Sequence, residues 1–377
     1  MKGKLHGIIF SYEKRGGLRE LTESRMPASV PFAGRYRLID FILSSMVNAG
    51  MTDVGVAIQG NYQSLLDHLG SGKDWDLSRK HGGLRLLPAF ADDNVVGGIR
   101  EYRGKLEALA GVRSYLEGIR QKHVVLADSD LIINIPIQDV YQAHVASGAD
   151  ITAVCTSNVE SDADVTFFRL DETGRVRETL FPLRDRAGCH RSLEIYVLSK
   201  ELLLNLVDEC MSHDLTSFRG AVLQSKAKEL HIQSYVWDGY AAQIRSVKEY
   251  YDRSLELLDP AIRREVFPAE RPIHTKERND ASTYVDPCPP RRPGRRSCRR
   301  GPPQKSQTKS SLGNTSFRAW EGLRSGRAAR HGGVSAPHIG QYTPPWRKSK
   351  DFQPLCAVFR RRIVAINKGG GRMSLLL

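Results

Sequence analysis

The chain has 377 residues and a mass of 42.2 kDa, with 40% hydrophobic and 26% charged residues. That ordinary globular balance excludes a fibrous or wholly disordered polymer and leaves room for two domains. The net charge of +14 is unevenly spread: residues 288–377 hold 20 Lys and Arg against only Glu321 and Asp351, whereas residues 1–287 hold 36 basic and 40 acidic residues. The main body therefore lacks the basic footprint of a nucleic-acid binder.

No apolar run approaches the roughly 18 residues of a membrane span, which predicts no membrane insertion. The start, Met1–Phe10, is too short an apolar stretch for a secretory signal. Six cysteines without CxxC spacing read as free thiols in a reducing cytoplasm.

In chain order, strand-like and helix-like segments alternate. Leu5–Ser11 reads as a buried strand, followed by a Gly-containing loop at Glu13–Gly17. Leu38, Ile39, Ile42, Leu43 and Met46 recur at helical spacing within Tyr36–Ala49, and Gly50 supplies the stop. A strand at Val54–Ile58 and a helix at Tyr62–Leu69 follow. Next come a helix at Lys105–Ile119, a strand at His123–Ala127, a helix at Ile137–Ala146 and a strand at Ile151–Cys155. Val165–Leu170 and Gly174–Val176 suggest a hairpin-like excursion. Ser192–Leu198 is a strand, Lys200–Cys210 a helix and Leu230–Trp237 a strand. Ser246–Leu258 is an amphipathic helix stopped at Pro260. This alternation predicts an α/β domain with a mainly parallel sheet covered on both faces.

The pattern breaks near Tyr284. Pro287–Pro303 is almost entirely Pro, Arg and Gly, and Ile, Leu, Val and Phe make up 15 of the 90 residues from 288 to 377. That is too few to build a core, so the segment reads as a basic, low-order tail. The expected organisation is a domain over 1–260, a linker over 261–287 and the tail over 288–377.

The run Arg25-Met-Pro-Ala-Ser-Val-Pro-Phe-Ala-Gly-Arg-Tyr-Arg-Leu-Ile-Asp-Phe41, with Leu43-Ser-Ser-Met-Val-Asn-Ala-Gly50 after it, resembles the bacterial glucose-1-phosphate adenylyltransferases (ADP-glucose pyrophosphorylases). Glu101-Tyr-Arg-Gly-Lys-Leu-Glu-Ala108 is similar to the family's Tyr-Arg-Gly-Thr-Ala-Asp-Ala. Arg191-Ser-Leu-Glu-Ile-Tyr-Val197 is similar to its Ala-Ser-Met-Gly-Ile-Tyr-Val, and Asp238-Gly-Tyr240 fits the end of the domain. The resemblance covers roughly residues 1–285. It implies a Rossmann-like nucleotidyltransferase fold, followed in the family by a left-handed β-helix of hexapeptide repeats. No aliphatic ladder of that kind follows Thr283. A reading-frame shift near codons 284–290 is the expected cause, with a genuine basic tail as the alternative.

The chemistry of this family needs a Gly-rich phosphate cradle, basic residues on the developing charge and carboxylates on Mg²⁺. The family's Gly-Gly-x-Gly-x-Arg-Leu reads here as Tyr12-Glu-Lys-Arg-Gly-Gly-Leu18, with Glu13 facing the phosphates; Arg15 or Arg19 could substitute only through a shifted loop. Pro27 stands at the catalytic lysine, and no Phe-x-Glu-Lys-Pro run lies between Val176 and His190. Arg184, Arg186 and Arg191 read as solvated loop residues.

Ala127-Asp-Ser-Asp-Leu131 places Ser129 at the family's catalytic aspartate, and Gly239-Tyr-Ala-Ala-Gln-Ile-Arg-Ser246 places Gln243 at its second metal aspartate. Asp128 and Asp130 are weak metal candidates, read first as surface carboxylates at a strand end. Mg²⁺, the family's cofactor, is therefore doubtful for this chain.

No residue is assigned a catalytic role. Gln59, Tyr102, Gly104 and Ser192, with Arg19, are the candidates for a nucleotide or sugar pocket, although Tyr102 and Ser192 serve equally as supports of the sheet. Arg35, Tyr36 and Arg37 fit a polar loop opening a helix, and Asp40 a satisfied structural carboxylate.

The resemblance points to the family's non-catalytic, regulatory (D-type) subunit in glycogen biosynthesis. Such a chain would be cytoplasmic, paired with a catalytic subunit, with ATP or a sugar phosphate as possible ligands. It would have no membrane partner and no specific nucleic acid. The alternatives are an active adenylyltransferase with a remodelled loop, or a polyanion binder acting through the tail.

Overall fold

Period-two alternation in the strands sets the architecture. In the computed structural model, which describes residues 3–11, 17–88, 102–158, 165–181 and 188–277, β1 (Leu5–Phe10) lies between β2 (Asp53–Ile58) and β4 (His123–Asp128), parallel to both. β3 (Gly83–Pro88) extends the parallel edge beside β2. On the other side, β8 (Cys189–Ser199) runs antiparallel to β4 and to β5 (Ile151–Thr156), and β9 (Ile232–Val236) pairs parallel with β5. A hairpin of β6 (Phe167–Leu170) and β7 (Val176–Leu180) joins the start of β8, completing a nine-stranded mixed sheet.

Within β4, Val125 and Ala127 face one side and Val124 and Leu126 the other, and each set belongs to a separate apolar cluster. α1 (Leu38–Asn48), α2 (Gln63–Leu69) and α5 (Ile137–Ser147) cover the first face through Ile39, Ile42, Met46, Leu65 and Val140. α3 (Lys105–Gly111), α4 (Arg113–Glu117) and α6 (Lys200–Ser212) cover the second through Leu106, Leu109, Leu116, Leu203 and Leu206. A sheet buried on both faces is what continuous apolar strands require.

Several elements differ from the sequence expectation, and three have a plain cause. The helix expected over Lys105–Ile119 is two helices, divided at Gly111-Val112 where Val112 leaves helical geometry (φ −115°); glycine is the weakest propagator present. β3 escapes the sequence pattern because it is an edge strand closed by a proline. After α7 (Val247–Glu256) the chain re-enters a helix, α8 (Pro260–Val266), with Pro260 at its first position and the Asp259 carboxylate accepting from the Ala261 N–H. Pro260 starts a helix as well as ending one.

A third apolar cluster joins the two ends of the described chain: Leu18, Phe32, Leu38 and Phe41 pack with Ile244, Leu257, Val266 and Ile273. The last segment is tied down along its length. Asn134 Nδ2 donates to the carbonyls of Val266 and Arg271, Asn48 Nδ2 to that of Pro272, and the His274 N–H donates to Ser44 Oγ at 2.8 Å. By backbone proximity the chain divides at Asn279/Asp280, and every described residue lies before that point. The tail, the proposed frame shift and the linker from residue 278 onward lie outside the described residues.

Two imidazoles in this fold are held neutral. Burial lowers His6, in β1, to about 4, and burial with His123 beside it lowers His144 to about 4. The unfolded chain takes up these protons near 6.5, so stability is full above that pH and drains away as the pH falls towards 4. The expected loss from His6 alone is on the order of 3 kcal/mol. Urea midpoints measured between pH 7 and pH 4 should show a slope that is shallower in His6→Gln than in the wild type.

Candidate functional site

In an open α/β sheet, ligands gather beyond the carboxyl ends of the strands where the strand order reverses. Here that place is the end of β1 and β4, since the chain runs from β1 outward to β2 and β3 and then returns to β4 on β1's other side. The Asp128-Ser-Asp130 turn sits at this point, its Ser129 N–H donating to the Phe10 carbonyl at 3.0 Å.

The carboxylates of that turn are already engaged. Lys105, the first residue of α3 and buried, places Nζ 3.0 Å from Asp128 Oδ1 and 2.6 Å from Glu194 Oε2. Glu194 receives a second hydrogen bond, 3.0 Å, from Thr166 Oγ1. Arg245 Nε donates to Asp130 Oδ2 at 2.7 Å, and its NH2 lies 4.0 Å from Asp128 Oδ2. The reading of Asp128 and Asp130 as surface carboxylates is thus corrected: their side chains are only 18% and 17% exposed, and each carries an ion-pair partner.

Burial opposes the charge on Lys105, but Asp128 and Glu194 outweigh it and hold the ammonium above the ordinary lysine value. Arg245 is held protonated in the same way, by Asp130, Glu194 and Asp128 against its burial. On Asp128 burial prevails and pushes the carboxyl up to about 6 against the pull of Lys105.

The expectation for Arg191 also needs correction. It is not a solvated loop residue but a buried member of β8, donating from Nε to the Asn158 carbonyl at 3.0 Å and from NH1 to Gln243 Oε1 at 3.2 Å. Arg184 and Arg186 fall outside the described residues. Burial, with Arg245 and Arg253 nearby, lowers Arg191 to about 10. Gln243 pairs with Leu131 in the short ladder of Ala241–Gln243 with Leu131–Ile133, so the fold brings Gln243 to the strand end beside the Asp128-Ser-Asp130 turn. Gln243 Nε2 has no hydrogen-bond partner among the described residues.

The pocket candidates divide into placed groups. Gln59, just past β2, accepts the Tyr102 N–H at 2.8 Å. Gly104 caps the start of α3, and a Cβ there would lie 2.1 Å from the Thr216 carbonyl oxygen, so only glycine allows that approach. Ser192 is fully buried, its Oγ accepting the Glu194 N–H at 3.1 Å and meeting Tyr196 Oη at 3.1 Å. Gly104 and Ser192 thus flank the two ends of the Lys105–Glu194 pair. Arg19 is placed differently, in the exposed turn Arg19–Leu21 with φ 44°. The phosphate-loop residues Tyr12–Gly16, Glu13 and Arg15 among them, lie outside the described residues.

A hard divalent ion does not fit these residues as they stand. Mg²⁺ takes six oxygens in octahedral array, one or two of them from carboxylates and the rest from water or phosphate, whereas Asp128, Asp130 and Glu194 each stand beside the fixed cation of Lys105 or Arg245. Among the described residues no cluster of His, Cys, Asp and Glu forms a metal site.

Family comparison matches residues 15–216 to the family described as Nucleotidyl transferase. The glycogen biosynthesis protein GlgD of Bacillus subtilis is 32% identical over 280 residues, which is 74% of this chain and 70% of that protein. GlgD of Geobacillus stearothermophilus is 34% identical over 287 residues, 75% of this chain and 72% of that protein. The glucose-1-phosphate adenylyltransferase of Geobacillus stearothermophilus is 28% identical over 293 residues, 76% of this chain and 74% of that protein.

The chain belongs to the nucleotidyl transferase family.

In this nucleotidyl transferase fold, the residues that sequence reasoning passed over are Lys105 and Glu194. Both stand at departures from quoted family motifs, a threonine and a glycine respectively, and their opposite charges were the signal that could have joined them. The glycine is explained by the backbone: residue 194 sits at φ 56°, in a bulge where the pairing of β8 with β5 shifts between Ser192 and Ile195. A side chain at that φ carries strain of about 1 kcal/mol or more, which the ion pair offsets. No helix among the described residues is long and apolar enough to cross a membrane.

Proposed function

We propose that this chain is a GlgD-type, non-catalytic member of the family that acts in glycogen biosynthesis beside a glucose-1-phosphate adenylyltransferase, modulating the synthesis of ADP-glucose from ATP and glucose 1-phosphate. The observation that carries the reading is the neutralised strand end, where Lys105 faces Asp128 and Glu194 and Arg245 pairs with Asp130; the motif reading that sets Ser129 and Gln243 at the family's metal aspartates points the same way. A site whose three carboxylates each stand beside a fixed cation is poorly suited to holding a metal that offsets the charge of a triphosphate in transfer. Gln59, Tyr102, Gly104 and Ser192 remain the candidates for a pocket, and a nucleotide or sugar phosphate held there would act as an effector. The similarity to two GlgD proteins supports the same assignment.

The test is ADP-glucose synthesis by this chain alone, by a catalytic adenylyltransferase alone and by the two co-expressed. Silence alone with a changed rate or effector response in the mixture is expected. Turnover by this chain alone, or an unchanged rate in the mixture with no co-purification, overturns the proposal.

A further inference from the structure

The seat occupied by the Lys105 ammonium is built for an organic cation. Asp128 Oδ1 and Glu194 Oε2 approach it at 3.0 and 2.6 Å, and the rings of Phe10 and Tyr196 flank it, each with its centroid 5.6 Å from Nζ. Aromatic faces attract an ammonium through the ring quadrupole. A magnesium ion in the same place would draw oxygens to about 2.1 Å and keep several waters, for which two aromatic walls offer no hydrogen-bond acceptors. Arg245 closes the other side of the cluster by holding Asp130 at 2.7 Å. Three carboxylates thus meet two fixed cations, and Gln243 adds no charge.

We propose that Lys105 is a built-in counter-ion standing in place of a divalent cation: its ammonium compensates the charge of Asp128 and Glu194, so that the strand-end site of this chain is assembled without metal and excludes it. The proposal does not depend on the glycogen assignment or on any partner. Removing the ammonium while keeping the packing of its methylenes should expose two carboxylates that a divalent ion can share.

The experiment titrates Mn²⁺ into the full chain and follows the free-ion signal by electron paramagnetic resonance, for the wild type, Lys105→Met, Lys105→Arg, Asp128→Asn and Lys105→Met/Asp128→Asn. The expected result is equal, weak binding by wild type, Lys105→Arg and Asp128→Asn. Lys105→Met should bind one further ion at least about tenfold more tightly, since a unit positive charge has gone from beside a buried carboxylate. The double variant should lose that ion. Overturning results are a wild-type ion that Asp128→Asn removes, or no gain in Lys105→Met. If Lys105→Met cannot be purified, wild type against Asp128→Asn decides, with equal binding upholding the proposal and a loss in Asp128→Asn overturning it.

Discussion

Lys105→Ala is expected to lower stability by about 3–5 kcal/mol, because it leaves two carboxylates in a low-dielectric site without their shared counter-charge. Asp128 and Glu194 are 18% and 12% exposed, so water replaces little of what the ammonium supplied. The informative comparison is the double variant Lys105→Ala/Glu194→Gly. Removing the glutamate deletes one of the unpaired charges and returns residue 194, at φ 56°, to a residue that tolerates left-handed geometry. The double variant should therefore be more stable than Lys105→Ala by about 1–2 kcal/mol, a non-additivity characteristic of groups in contact. Urea unfolding followed by tryptophan fluorescence measures both. A double variant as unstable as the sum of its parts would show that the two residues act independently.

Asp40→Ala is expected to cost about 3 kcal/mol. Asp40 is fully buried in the first turn of α1, accepting the Arg37 N–H at 2.9 Å and facing His68 Nε2 at 2.6 Å. Deleting it removes a helix cap, worth about 1 kcal/mol, and strands a buried imidazole nitrogen at a further cost of about 1–3 kcal/mol. Asp40→Asn keeps its Oδ1 as acceptor for the Arg37 N–H and turns its Nδ2 donor towards His68 Nε2, which accepts in the other neutral tautomer, and should lose less. The same urea midpoints discriminate these outcomes. Equal losses in the two variants would locate the effect in packing and not in hydrogen bonding.

Much of the layered fold was legible because its strands are short apolar runs separated by amphipathic helices, and such runs survive without knowledge of their partners. The seven-residue helix α2 and the eleven-residue helix α5 emerged within a residue or two of their bounds. β3 was invisible because an edge strand needs only one apolar face, and Gly82-Gly83 at its start reads as a loop. Those glycines have their own reason: a Cβ on Gly82, at φ +81°, would strike the Asp53 carboxylate.

At the site, the reading of Ser129 and Gln243 as neutral replacements rests on motif position alone. The ion pairs could not, because Lys105 and Glu194 lie 89 residues apart and only the packing of α3 against β8 joins them. Arg191 was misread for the opposite reason. A basic residue near a polar stretch suggests solvent, yet the strand pattern of β8 carries it inward to the carbonyls of Asn158 and Ala241.

The closure of the third cluster has a consequence for biosynthesis. Phe32, Leu38 and Phe41 leave the ribosome early, but their cover comes from Leu257, Val266 and Ile273. More than 200 residues must therefore be made before the apolar side of the opening segment is dry, a separation written directly in the bond from His274 to Ser44, 230 positions apart. Non-local contacts of that span form late and leave apolar surface open to misassociation meanwhile. The nascent chain is thus at its most vulnerable when nearly all of the sheet has been synthesised. A stop anywhere between α7 and Ile273 would yield a protein with most of its strands and an open flank. Because the composition changes only after Tyr284, the whole closing segment lies upstream of that change.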